Sequence, residues 1–418
     1  MPSTSPAPSP APSLFRALRP SLPILIGASL MLSVAMGLRQ SLGIFMPALT
    51  KDLGLSVANF TLAIAVQNLA WGFFQPFAGA YAMRIGMRRL MVGGGLLYIL
   101  GLVLLATANG LTAVMLGAGI AIGAALAANG SAIAMAAASR PVPAAVRSSV
   151  LGIVSAAGSF GAMVAAPIGQ TLSVNFGWRT GVWGFVALAL LIIPAAWVAG
   201  KVDALPVPPK AGEGETAKAA LGIALRNPLF VVMAVTYFVC GMQLVFLTTH
   251  LPSYLAICGM DPMLSAKALG MIGGFNVLGS LFFGWAGGRW NKLILLGLIY
   301  TVRSAVVAWY FVSLPTPETT LIFAGIMGFL WLGVAPLVTG WIVDTFGLKW
   351  QAMLGGVAFV GHQLGSFVGA FGGGLIYDLA GNYNLAWQIG VSLGLSAGIV
   401  QISYAWWRAR GVRLVGAA

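Results

Sequence analysis

LPILIGASLMLSVAMGLRQSLGIFMPA, residues 22–48, sets the reading of this chain. A helix rising 1.5 Å per residue needs about 20 apolar residues to cross a hydrocarbon slab roughly 30 Å thick. This run exceeds that length and holds a single charged residue, Arg39. Eleven further apolar stretches follow, at approximately 58–82, 90–108, 112–138, 148–172, 179–199, 228–250, 265–287, 293–313, 319–342, 352–377 and 385–406. They are continuous rather than alternating, which selects helices over the short strands of a membrane barrel. Composition agrees: 59% of the 418 residues are hydrophobic, 7% are charged and the mean hydropathy is +0.94, where soluble domains carry about a quarter charged residues. The expected fold is an all-α membrane protein with twelve transmembrane helices.

Charge sets the orientation. Placing the N-terminus in the cytoplasm puts 17 of the 22 Lys and Arg on the cytoplasmic side and leaves only Lys51, Arg179 and Lys267 outside, with Arg39 and Arg303 inside the membrane. Such an asymmetry in short loops fixes topology, so both termini are expected to be cytoplasmic. The net charge of +14 does not mark a nucleic-acid binder. Its cations are spread one loop at a time along one membrane face, where anionic headgroups attract them.

The chain divides at its longest polar stretch after the N-terminus. Residues 1–20, MPSTSPAPSPAPSLFRALRP, are rich in Pro, Ser and Ala and read as a disordered cytoplasmic tail. Residues 201–227 read as a cytoplasmic linker holding Asp203, Glu213 and Glu215, with a short amphipathic surface helix from about Thr216 to Arg226. This leaves two six-helix bundles, 21–200 and 228–407, and a cytoplasmic tail, 408–418. A weak repeat relates them: Gly79-Ala-Tyr-Ala-Met83-Arg84-Ile-Gly86-Met-Arg88-Arg89 after the second span matches Gly284-Trp-Ala-Gly-Gly288-Arg289-Trp-Asn-Lys292 after the eighth. Two similar halves about a linker suit a rocking transporter.

The Gly79 to Arg89 segment resembles the signature loop of the major facilitator superfamily, over a chain similar to that superfamily from residue 21 onward. Gly79, Met83, Arg84, Gly86 and Arg88 then mark a cytoplasmic gate. The superfamily pattern has an acid where this chain has Met83 and, in the second copy, Gly288. The resemblance ties that acid to a latch closing the cytoplasmic side, so its absence predicts a weaker latch and a bias toward inward-open forms. Three further stretches, Gly37 to Phe45, Gly177-Trp178-Arg179 and Gly374 to Tyr383, are similar to bacterial carriers of the monocarboxylate porter and oxalate:formate antiporter type. That resemblance implies transport of a small organic anion by symport or exchange, a monomer, and a place in the cell inner membrane. The eighth-span Asp and Arg of the monocarboxylate branch are replaced here by Asn276 and Ser280.

An anionic substrate also follows from the residues themselves. An arginine at mid-membrane costs roughly 2.5–3.5 kcal/mol on insertion scales and persists where it faces a wet cavity or a partner. None of the eight acidic residues falls deep within a span, so Arg39 has no embedded carboxylate and a substrate anion can supply one. The competing reading is that Arg39 snorkels to the surface. Arg303 is a second substrate-binding candidate. Gln67, Asn68, Asn129, Tyr237, Gln243 and Asn276 are embedded polar candidates for the same cavity, because a polar group facing lipid is costly. His362 is the deep group that titrates near neutrality and is the candidate proton carrier. Trp71 and Trp331 are read as packing more than as cavity walls.

Enzyme chemistry finds no support. The sequence has no nucleophile elbow, no phosphate-cradling loop, and no Cys/His spacing for a metal around Cys240 and Cys258. No cofactor is expected, and with no ATP motif the driving force must be an existing gradient. The expected function is a secondary active transporter of a monocarboxylate or similar anion. The alternatives are efflux of an anionic or neutral toxic compound and a non-transporting membrane sensor or assembly subunit.

Overall fold

A computed structural model describes residues 19–415 apart from 213 and 314. Most of the expected N-terminal tail, Glu213 of the linker and the end of the C-terminal tail therefore lie outside the described residues. Among those described, twelve helices are long and apolar enough to cross a membrane. They are α1 (Arg19–Leu53), α2 (Val57–Ile85), α3 (Met87–Ala106), α4 (Leu111–Ser139), α5 (Ala144–Phe176) and α6 (Trp178–Ala204), then α7 (Pro228–Ile257), α8 (Lys267–Ala286), α9 (Lys292–Val312), α10 (Pro317–Phe346), α11 (Gln351–Ala380) and α12 (Asn384–Arg408). The helix containing α12 continues to Val415, so the segment expected as a separate tail extends the last helix.

Local chemistry explains where these helices begin and turn. Ser56 Oγ accepts from Asn59 N at 3.1 Å to open α2, and Asn227 and Asn291 Oδ1 accept from Leu229 N at 3.0 Å and Leu293 N at 2.9 Å to open α7 and α9. Each cap satisfies a backbone donor that the first turn leaves free. Between α2 and α3 the chain reverses at Gly86, whose φ of +87° favours glycine. Cys240 and Cys258 are both free. Eighteen residues of one helix separate them by about 27 Å, beyond disulfide reach.

The helices form two six-helix bundles. Met31, Phe45, Tyr98 and Phe185 anchor the core of α1–α6, while Phe230, Tyr300, Phe323 and Trp387 anchor that of α7–α12. The linker contains a helix, Ala217–Arg226, capped by Thr216. It does not lie free on a membrane surface: Ala220 and Ala224 are buried in the C-terminal core, and Trp350 Nε1 donates to Gly214 O at 3.0 Å.

The bundles meet along two related seams in their linker-side halves. On the first, α2 against α11, a Cβ added at Gly356 would lie 2.7 Å from Pro76 N, and one at Gly79 would lie 2.5 Å from Ala352 C. On the second, α5 against α8, a Cβ at Gly152 would lie 2.8 Å from Gly284 Cα. Only glycine permits backbones that close. Gly79 and Gly284, the paired glycines of the sequence repeat, thus occupy matching places. Further out, Ser155 Oγ donates to Ser280 Oγ at 3.3 Å and Asn276 Nδ2 to Ser159 Oγ at 3.0 Å. Toward the end opposite the linker, the bundles are also joined by Gln363 Nε2 of α11, which donates to Asn68 O of α2 at 3.0 Å. Positions there such as Gly43 of α1 and Gly270 of α8 face open space.

Candidate functional site

The seam between α2 and α11 ends at mid-membrane in a polar and aromatic group that both bundles build. Arg39 of α1 donates through Nη2 to Asn68 Oδ1, and its guanidinium lies over the Trp71 ring, 5.1 Å from the centroid. Its Nε is buried with no partner among the described residues. Asn68 is also the crossing point: Gln363 Nε2 of α11 donates to Asn68 O at 3.0 Å and approaches Asn68 Oδ1 at 3.4 Å. One amide therefore accepts from the cation of one bundle and touches the amide of the other.

Aromatic rings close this group from the C-terminal side. Phe359 lies 4.7 Å from Trp71, and His362 stacks on Phe359 at 5.2 Å and meets Tyr237 edge-on at 4.7 Å. His362 Nδ1 is 3.2 Å from Gln363 Oε1 and 3.4 Å from Ser366 Oγ. Helical spacing explains the assembly, since Phe359, Gln363 and Ser366 recur at intervals of four and three along one side of α11. No carboxylate is among these contacts. The group offers one partly satisfied cation, two amides, a titratable ring and flat apolar walls, which suits a small anion with an apolar body.

Arg303 is placed differently. It is fully buried within the C-terminal bundle, where Nε donates to Gln243 Oε1 at 3.0 Å and Nη1 points to Cys240 Sγ at 3.5 Å. Gln243 Nε2 in turn donates to Ser304 Oγ at 2.9 Å and Gly390 O at 2.8 Å. Gln243 thus belongs with Arg303 and not with the Arg39 group. Gln67 and Asn129 are also turned inward: Gln67 Nε2 donates to Ala118 O at 2.6 Å and Asn129 Nδ2 to Met91 O at 2.8 Å, holding α4 to α2 and to α3. Asn276 spans the other seam, with Oδ1 accepting from Leu332 N at 2.9 Å. Of the residues singled out in the sequence, the structure brings together Arg39, Asn68, Tyr237 and His362.

Comparison with known proteins decides the family. The model of the Major Facilitator Superfamily matches residues 28–370. The chain belongs to this superfamily. Monocarboxylate transporter 13 of Bos taurus is 23% identical over 88% of this chain and 85% of its own length, and monocarboxylate transporter 11 of Mus musculus is 26% identical over 87% and 83%. The crystal structure of the fucose:proton symporter of E. coli superposes with a TM-score of 0.72 at 16% identity, covering 93% of this chain and 99% of that one, a likeness of fold alone. Superfamily membership makes the protein a multi-pass membrane transporter and not an enzyme.

The segment that resembles the superfamily's signature loop has Met83 at the position of the acid. Arg140 Nη2 points to Met83 Sδ at 3.1 Å, Arg84 is exposed, and Arg88 covers Trp197 at 4.9 Å. A different carboxylate meets the end of this loop. Asp203, at the end of α6, accepts from Met87 N at 2.8 Å and Arg88 N at 2.9 Å, capping α3 just after Gly86. Burial lowers the Arg140 pKa from its usual value, and the Asp203 charge opposes that shift. In this structure the linker side is closed. Backbone packing at Gly79, Gly152, Gly284 and Gly356 shuts that side, and such contact needs no acid at position 83. The sequence named neither Asp203, Phe359 nor Gln363 as site residues. Gln363 had a signal in its place beside His362, whereas Asp203 is distant in sequence from the loop it caps.

Proposed function

We propose that this protein is a secondary active transporter that moves a small organic anion, a monocarboxylate or similar, by alternating access across the cell inner membrane. The observation that carries the reading is Arg39: a mid-membrane cation at the meeting of the bundles that, among the described residues, donates to a neutral amide and leaves its Nε without a partner. A substrate carboxylate satisfies both nitrogens as a bidentate acceptor, while Trp71 and Phe359, packed on each other, offer a flat wall to its apolar part. The names of the two mammalian relatives support the same substrate class. The 17-to-3 asymmetry of loop cations supports cytoplasmic termini, which makes the closed linker side the cytoplasmic one and the form seen outward-facing.

Alternating access then has a physical switch in Asn68. When an anion engages Arg39, Asn68 Oδ1 is released from the guanidinium, and the contact with Gln363 across the seam changes with it. His362, bonded to Gln363 and Ser366, carries the coupled proton. A proton on His362 lowers the cost of bringing an anion into the group, and its loss on the cytoplasmic side favours release. Anion exchange would use the same Arg39 without His362.

The test is thermal stability of the purified protein with small carboxylates, dicarboxylates, oxyanions and cationic drugs, beside Arg39→Gln, followed by flux in proteoliposomes. A ligand at 100 times its dissociation constant stabilises by about 2.7 kcal/mol. Anions are expected to stabilise the wild type and not the variant. Stabilisation by cations alone would sink the reading.

A further inference from the structure

The C-terminal bundle carries a crevice on its flank, away from the Arg39 group. It lies between α7, α9, α11 and α12 as a narrow groove, half open to the surface, with a volume of about 100 Å³. Met242 and Phe246 of α7, Val368 and Ile376 of α11 and Trp387 of α12 line it. Gln243 also touches the crevice, yet both of its amide hydrogens are used by Ser304 Oγ and Gly390 O, so the lining is apolar in effect.

Missing side chains make this space. A Cβ at Gly390 would meet nothing within 4 Å, and one at Gly372 would meet only Val368 Cγ1 at 3.8 Å. These glycines differ from Gly361 on the same helix as Gly372, where a Cβ would lie 2.8 Å from Ala234 O and the backbone itself is packed. The mouth opens on the outer surface: Val368 and Ile389 of the lining are 44% and 38% exposed, and neighbouring Phe371 is 62% exposed. On spans this apolar, such a surface faces bilayer hydrocarbon.

One polar feature has no partner. Trp387 is 2% exposed and its Nε1 is buried without an acceptor among the described residues, although a buried indole N–H usually finds one. Trp387 stands three residues after the start of α12, about 4.5 Å below the helix end. That is the interfacial depth at which tryptophans collect and lipid polar groups begin. From Ile376 the α11 wall runs inward to Val368, eight residues deeper in the membrane, or about 12 Å.

We propose that the crevice binds one acyl chain of a membrane phospholipid, drawn from the leaflet opposite the linker, with the ester carbonyl accepting from Trp387 Nε1. The chain fills the space that Gly372 and Gly390 leave open, and the carbonyl supplies the acceptor that the protein lacks. The occupant is lipid because the mouth opens to hydrocarbon and the walls offer nothing that would hold a charged solute.

The experiment uses the full chain in nanodiscs of phosphatidylethanolamine and phosphatidylglycerol doped with a phosphatidylglycerol carrying a diazirine in one acyl chain. After irradiation, labelled peptides are mapped by mass spectrometry. Label is expected to concentrate on 368–376 and 386–390. Gly390→Leu, whose side chain enters open space, brings it down to the level of the surrounding lipid belt. Trp387→Phe weakens it about fivefold, the size of one net hydrogen bond. Even labelling around the whole belt in the wild type, or unchanged label in Gly390→Leu, overturns the proposal.

Discussion

Arg39 and Arg303 pose the same problem in the two bundles and meet it in different ways. Each is an arginine in a membrane span, and neither has a carboxylate partner among the described residues. Arg303 is sealed inside one bundle, fully buried against Gln243 and Cys240. Arg39 lies between the bundles, partly accessible, and its acceptor Asn68 is shared with Gln363 of the opposite half. A cation with a private set of partners holds helices together. One whose partner also belongs to the moving interface can exchange it for a solute. The proposal that Arg39 binds substrate while Arg303 holds helices rests on position relative to the seam more than on charge in the membrane.

The largest expected effect is at Arg39. Arg39→Gln should weaken anion binding about 100-fold, since losing one side of a desolvated charge pair costs about 2–5 kcal/mol. Isothermal titration with the best-stabilising carboxylate reads this directly, and an unchanged affinity would break the comparison at its root. Next is the seam. Gly79→Leu forces a side chain into the Ala352–Met353 backbone, where overpacking costs about 1–3 kcal/mol. Spin labels on the linker-side ends of α2 and α11 should then move apart. A distance distribution like that of the wild type would mean that glycine packing is not what holds this side closed.

A smaller change is expected at Asp203. Replacing it with Ala removes the acceptor of two α3 backbone donors, a loss of about 1 kcal/mol, visible as a lower melting temperature and faster amide exchange at Met87 and Arg88. Protection equal to wild type would show that Asp203 does not hold the start of α3. The smallest effect on binding belongs to Arg303→Met, which should leave anion affinity within a factor of about three, whatever it does to stability. A loss comparable to that of Arg39→Gln would erase the distinction between the two arginines.

Much of this was legible before any coordinates. Span length, the bundles, the linker and the superfamily resemblance are consequences of hydrophobic runs and of a repeat that places Gly79 and Gly284 in register. Arg39 and His362 stood out because a charge or a titratable ring is conspicuous against apolar neighbours. The amides were harder, because Gln67, Asn68, Asn129 and Gln243 look alike along the chain. Asn68 follows directly after Gln67, yet the helix turns about 100° between them. That rotation aims Gln67 at the α4 backbone and Asn68 at the seam.

The sequence by itself determined that this chain crosses a membrane twelve times as two related halves, because hydrocarbon demands long uncharged helices and the demand is written residue by residue. Only the tertiary structure decided which buried polar groups meet, that Asp203 caps the loop lacking its acid, and which end of the molecule is shut. Those outcomes depend on helix rotation and on backbone approach between segments remote in the chain, and neither has a local signature.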